Sequence, residues 1–193
     1  MPSPNFEQQK TLAVGLGANL PSAVGSPIST LLTVRPKLEK LISDWVCASL
    51  GNNTAIGKIS EGLKWRWSPL FETTAMGGPK NQPTYINSVL VVDGPSLWSL
   101  QPSEKPALNL LERFLKLENE FGRSRQGNDM YWGPRSLDID FLGWGSLQMK
   151  HKNLILPHPH LMERDFVVVP LAAVLSKGRK EPRRIPSQIN WPE

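Results

Sequence analysis

The segment LDIDFLGW, residues 137–144, alternates acidic and apolar side chains and then turns wholly apolar. Successive side chains of an extended strand point to opposite faces. Asp138 and Asp140 therefore share one face, and Leu137, Ile139 and Phe141 share the other. A strand that buries one face needs partners, and three precede it. Tyr85 to Asp93 (YINSVLVVD) is β-branched and apolar, Trp65 to Thr73 is a second candidate, and Thr11 to Leu16 (TLAVGL) is an apolar run entering a turn at Gly17-Ala18-Asn19. Two helical stripes lie between them. One is Leu31, Val34, Leu38, Leu41, Ile42 and Trp45, with Pro36 expected to kink the helix or open its second part. The other runs from about Pro106 to Phe121 through Leu108, Leu111, Phe114 and Leu115, and Gly122 ends it. The order βαββαβ predicts an α+β, ferredoxin-like antiparallel sheet with both helices on one face. Residues 20–29, 47–64, 74–84 and 94–105 read as loops. Residues 145–193 form a C-terminal extension: an extended piece near 153–156, a turn or helix near 160–175, and a tail.

The chain has 193 residues, of which 39% are apolar and 20% charged, and these classes are mixed along its length. That excludes collagen-like, coiled-coil and wholly disordered proteins. We expect residues 1–10 to be a disordered N-terminus, 11–175 a single domain, and 176–193 a basic tail. The one cysteine, Cys47, excludes an intramolecular disulfide and a thiolate zinc cage. No apolar run approaches the ~20 residues of a membrane helix, and MPSPNFEQQK is no secretory signal. A cytoplasmic location is the expectation. The net charge is +5, but Lys177, Arg179, Lys180, Arg183 and Arg184 crowd one stretch against Glu181 alone. The basicity thus belongs to the tail, either solvated or touching an anion or nucleic acid, and not to a patterned binding face.

Three clusters carry candidate chemistry. In GRSRQGNDMYWGPRSLDID, residues 122–140, Arg123, Arg125 and Arg135 accompany the two aspartates. Paired carboxylates suit a divalent cation, and guanidinium forks match phosphate oxygens, so the stretch has the parts of a phosphoryl-transfer site. Trp132, mid-loop beside Gly133-Pro134, reads as a cover for a flat ligand. A solvent-facing edge strand with a charged loop gives the same alternation. The second cluster is LILPHPHLMERDF, residues 154–166. Here His158 and Arg164 suit an anion, a polar turn is the plain alternative, and zinc at His158 and His160 has no third ligand beside it. The third is the loop from Thr74 to Asn87, where Tyr85 and Asn87 share a strand face. An aromatic ring and an amide so placed can stack on a heterocycle and read its edge, though a core Tyr with a capping Asn would look alike.

LAVGLGANL (12–20), SPLFETT (68–74), GGPKNQPTYINSV (77–89), LLERFLKLENEFGRSR (110–125), WGPRSLDIDFL (132–142) and LPHPHLMERDFVVVPL (156–171) together resemble the 6-hydroxymethyl-7,8-dihydropterin pyrophosphokinase family of folate biosynthesis. The resemblance implies transfer of pyrophosphate from ATP to the pterin hydroxymethyl group, with release of AMP. It implies that Asp138 and Asp140 hold two Mg²⁺ ions and that Arg123 and Arg135 are catalytic. It places Glu118, Arg125, His158 and Arg164 on ATP. Thr74, Tyr85, Asn87, Trp132 and Phe166 would form the pterin pocket, with Trp132 and Phe166 sandwiching the ring. Small molecules are the expected partners of a monomeric, single-function enzyme, with no nucleic acid and no membrane.

The chain departs from the family at Ala18, which replaces a serine, and at Ala75, which replaces a proline that often follows Thr74. Residues 20–64 and 94–105 are longer than the usual links. Two other classes compete. A metal-dependent glycosyltransferase also uses Asp-x-Asp but needs a larger nucleotide-binding domain. A ferredoxin-like RNA-binding module needs aromatics on the central strands, and residues 11–16 have none.

Overall fold

A computed structural model describes residues 10–51, 59, 61–123, 133–161 and 165–175. The strands are β1 (Leu12–Ala18), β2 (Lys64–Trp67), β3 (Phe71–Thr73), β4 (Tyr85–Asp93) and β5 (Asp138–Trp144), followed by the hairpin β6 (Met149–His151) and β7 (Leu154–Leu156). The helices are α1 (Pro27–Leu50), the single turn α2 (Pro95–Trp98), α3 (Glu104–Glu120) and α4 (Asp165–Leu175). The sheet order is β2-β4-β1-β5, with β3 also on β4, and every pairing is antiparallel. This is the predicted α+β class and element order.

β1 is buried along its whole length because both faces of the sheet are covered. Leu12, Val14 and Leu16 pack with Leu31, Leu38 and Trp45 of α1 and Leu110 and Phe114 of α3. Ala13, Val89, Val91 and Leu142 pack on the other side with Val167 and Leu171 of α4. The two predicted helices thus share a face, and the C-terminal extension supplies a third helix for the opposite one.

Four local readings change. The first helix starts at Pro27, inside the supposed loop 20–29, and ends at Leu50, inside the supposed loop 47–64. Ser26 caps it, its Oγ accepting the Ser29 N–H at 3.2 Å, and proline at the first helical position needs no donor. The helix runs through Pro36, whose missing N–H is outweighed by Leu31, Val34, Leu38, Ile42 and Trp45, all at 0% exposure. The supposed strand 65–73 breaks into β2 and β3 at Ser68-Pro69-Leu70, since Pro69 has no N–H for a ladder. Ser68 bridges the gap: its N–H donates to the Val89 carbonyl and its Oγ accepts the Val89 N–H, both at 2.9 Å. Lys10, assigned to a disordered start, donates from Nζ to the Trp98 carbonyl at 2.6 Å. Residues 1–9 and the basic tail 176–193 lie outside the described residues.

Asp138 and Asp140 do share a face, opposite Ile139 and Phe141. The same alternation would leave Trp144 with the aspartates. A register shift between Ala13 and Val14 inserts one residue of β5 and turns Trp144 to the helix side. There it meets Trp45 edge-on, with centroids 5.1 Å apart.

Candidate active site

The sheet itself makes the floor of the site. Gly17 pairs with Asn87 on one side and Asp138 on the other, and Gly15 pairs with Val89 and Asp140 in the same way. Cross-strand partners face the same side, and strands lie ~4.8 Å apart, so Asn87 and Asp138 flank a side-chain-free strip ~10 Å across. A Cβ on Gly17 would come within 2.9 Å of Asn87 Oδ1. Thr73, Thr74, Ala75 and Met76 line the pocket from the end of β3 and Phe166 and Val167 line it from α4, around about 740 Å³ of space that is open to solvent.

On the amide side, Asn87 is 4% exposed and donates from Nδ2 to Thr73 Oγ1 at 2.8 Å. That bond sets the amide orientation and leaves Oδ1 over Gly17. The Tyr85 hydroxyl donates to the Gly133 carbonyl at 3.1 Å. Burial pushes its pKa above the ordinary phenol value and Asp138 adds to the rise, while Arg135 and Arg123 oppose it.

On the acidic side, Asp138 is engaged through both oxygens. Arg123 Nη1 donates to Oδ1 and Arg135 Nη1 to Oδ2, the latter at 2.6 Å. Glu118, 1% exposed at the end of α3, accepts from Arg123 Nη1 at 2.7 Å and from the Ile139 N–H at 2.8 Å. It fixes Arg123 against the start of β5. Arg135 also donates from Nε to the Gly133 carbonyl at 3.1 Å. Burial by itself lowers the Arg135 pKa, but Asp138, with Tyr85 and Asp140, raises it beyond the ordinary value, so the guanidinium stays charged.

Asn19 holds this half of the site together. It is 3% exposed, and its Oδ1 accepts the Arg135 N–H at 2.7 Å while its own N–H donates to the Arg135 carbonyl at 3.0 Å. Its Nδ2 donates to the Pro83 carbonyl at 3.2 Å, so one amide joins the arginine segment to the loop before β4.

Of the residues singled out from the sequence, Thr74, Tyr85, Asn87, Arg135, Asp138, Asp140 and Phe166 line this pocket. Arg123 reaches Asp138 from the turn just beyond the end of α3. Glu118 stands behind the strand as its support. His158 continues from the hairpin, its N–H donating to the Leu142 carbonyl at 2.9 Å. Arg125, Trp132 and Arg164 lie outside the described residues. Asn19, Thr73, Gly15 and Gly17 were missed as site residues. Only the Gly-x-Gly-x-Asn spacing of residues 15–19 at a strand end hinted at them.

Among the described residues no three His, Cys, Asp or Glu side chains converge for a metal. The zinc reading of the histidines gains nothing, since His158 Nδ1 accepts the His160 N–H at 3.3 Å. Asp138 and Asp140 offer hard oxygen donors suited to magnesium only if ligand phosphates or water complete the shell. No described helix is long and apolar enough to cross a membrane.

The family model "7,8-dihydro-6-hydroxymethylpterin-pyrophosphokinase (HPPK)" matches residues 13–176. A 2-amino-4-hydroxy-6-hydroxymethyldihydropteridine pyrophosphokinase of Aquifex aeolicus is 34% identical over 164 residues, covering 85% of this chain and 79% of its own. The proteins of that name from Synechocystis sp. and Haemophilus influenzae are 38% and 35% identical over 109 and 99 residues. Those matches cover 56% and 51% of this chain, and it spans only 49% and 54% of the length of those two relatives.

Proposed function

The chain belongs to the 7,8-dihydro-6-hydroxymethylpterin-pyrophosphokinase family, and from that premise we propose that it transfers pyrophosphate from ATP to 6-hydroxymethyl-7,8-dihydropterin in folate synthesis. The observation that carries this reading is the row Asn87–Gly17–Asp138, an amide and a carboxylate across a bare strip. A flat ring fits such a strip. An amide held at one end can read a pterin's donor and acceptor edge, and the charged groups stand at the other end, where a hydroxymethyl group would meet phosphate.

Residues 11–175 form the catalytic unit in this reading. The substrate's hydroxymethyl oxygen attacks the β-phosphorus of ATP. A new P–O bond forms, the bond from the β-phosphorus to the bridging oxygen breaks, AMP leaves and the hydroxyl proton is released. Asp138 and Asp140 would hold the two Mg²⁺ ions, which neutralise phosphate charge when bound. Arg123 and Arg135, which both donate to Asp138, would reach the phosphates and stabilise the transferring group. Asn19 and Glu118 hold these arginines in register. Arg125, His158 and Arg164 are assigned to ATP. Thr74, Tyr85 and Asn87 are assigned to the pterin, with Trp132 and Phe166 on its faces. We propose a monomer in the cytoplasm.

The test is nucleotide stoichiometry. ATP, Mg²⁺ and 6-hydroxymethyl-7,8-dihydropterin should give AMP one for one with pterin pyrophosphate. Formation of ADP, or no consumption of nucleotide, would overturn the reading.

A further inference from the structure

Met76 stands at the rim of the pocket, 59% exposed, on the irregular segment that follows β3. It is the strongly exposed large apolar side chain that lines this cavity among the described residues; Val24, Trp98 and Ile155 stand elsewhere. A long apolar chain left in water beside an enclosed apolar wall has area to bury once a ligand arrives. Its immediate neighbours leave that side chain room to move: Ala75 precedes it, and Gly77 and Gly78 follow with φ of 77° and 72°, between Thr74 and Pro79. Gln82 Nε2 donates to the Gly77 carbonyl at 3.1 Å, so the backbone just after Met76 is held and the unbranched side chain is the part that moves. Phe166 supplies a wall of the same pocket.

Resting on the function proposed above, we propose that Met76 is a positioning residue for the heterocycle: its thioether closes on the edge of the ring at the pocket rim, leaving the two faces to Trp132 and Phe166, and sets pterin affinity. Methionine suits this role. Its unbranched chain reaches over a rim, and its polarisable sulfur makes favourable contacts with aromatic rings, often at their edge. Nucleotide affinity should be untouched, since the arginines and aspartates lie at the other end of the strip.

The experiment measures binding of 6-hydroxymethylpterin to the full chain by calorimetry, with magnesium and a non-hydrolysable ATP analogue present. Met76→Ala should raise the pterin Kd about tenfold, through the lost buried methylenes and sulfur. Met76→Leu should stay near wild type, and the nucleotide Kd should not change in either variant. In turnover, KM for the pterin should rise while kcat holds. A second readout is the Met76 methyl resonance, assigned among the five methionines by its loss in Met76→Leu, which should shift in the pterin ring current. An unchanged pterin Kd in Met76→Ala, or a methyl signal unmoved at pterin saturation, overturns the proposal. Wild-type protein that binds no pterin at all would instead remove the pyrophosphokinase reading, and this assignment with it.

Discussion

Asn19 and Arg135 hold each other by two reciprocal bonds across 116 positions of chain: Asn19 Oδ1 accepts the Arg135 N–H at 2.7 Å and the Arg135 carbonyl accepts the Asn19 N–H at 3.0 Å. This pair turns the end of β1 into a fixed mount for an arginine whose guanidinium grips Asp138. The alanine at position 18, where the resemblance leads one to expect serine, leaves the mount intact, because Asn19 alone supplies its side-chain bonds. Ala18 instead points into the helix-side core, at 0% exposure.

Asn19→Ala should orphan the buried Arg135 N–H and release the Pro83 carbonyl. We expect a stability loss of about 1–3 kcal/mol, read by denaturant unfolding. Turnover should fall further, because Arg135 and the pterin-side loop lose their common support. A variant with wild-type kcat would show that the mount has no part in catalysis.

The two floor glycines should respond differently. Gly17→Ala puts a methyl 2.9 Å from Asn87 Oδ1 and must displace that amide, whereas Gly15→Ala meets Leu142 and Asp140 at 3.5–3.6 Å, ordinary contact. Both variants should fold. Pterin affinity should drop sharply in Gly17→Ala, by ~1–3 kcal/mol from the lost amide contact, and less in Gly15→Ala. Titration of each with pterin checks the order.

Removing Arg123 should separate metal binding from catalysis. Arg123→Ala takes one guanidinium away from Asp138 Oδ1, so nucleotide-free Mn²⁺ binding, read by electron paramagnetic resonance, should tighten by about tenfold, or ~1.4 kcal/mol. Pyrophosphate transfer should fall by ~10²–10³-fold for loss of one stabilising donor. Weaker Mn²⁺ binding in the variant would contradict the view that Arg123 and the cation compete for one carboxylate. Asp138→Ala and Asp140→Ala should cost far more in turnover than in melting temperature.

Tyr85 gives a pH signature. Its folded pKa lies above the ordinary phenol value of ~10, so the folded state keeps its proton longer than the unfolded chain does. Its stabilising contribution is complete below pH ~10 and is lost as pH rises through the folded value. Tyr131 is the only other tyrosine, so the ultraviolet titration of wild type minus Tyr85→Phe isolates Tyr85. The midpoint should lie above 10, and Tyr85→Phe should flatten the alkaline loss of stability. A midpoint at or below 10 would mean that the hydroxyl is not buried beside Asp138 in solution.

Much of this was legible in the chain because its signals are local. Alternation over 137–141 set the two aspartates on one face, the stripe from Leu31 to Trp45 named a helix, and the spacing of Tyr85 and Asn87 put an aromatic and an amide together. Periodicity reports only which neighbours share a face, so it did not reveal the extra residue in β5 that turns Trp144 over. Nor did it reveal that Ser68 replaces the ladder where Pro69 interrupts it. The residues themselves determined the order of elements, the acidic pair and the family. Tertiary structure alone decided that Asn19 mounts Arg135, that Gly17 lies between Asn87 and Asp138 and Gly15 between Val89 and Asp140, and that Glu118 backs Arg123. Those facts depend on which strands become neighbours and in what register, and that is settled by packing two apolar faces of one sheet against helices far apart in the chain.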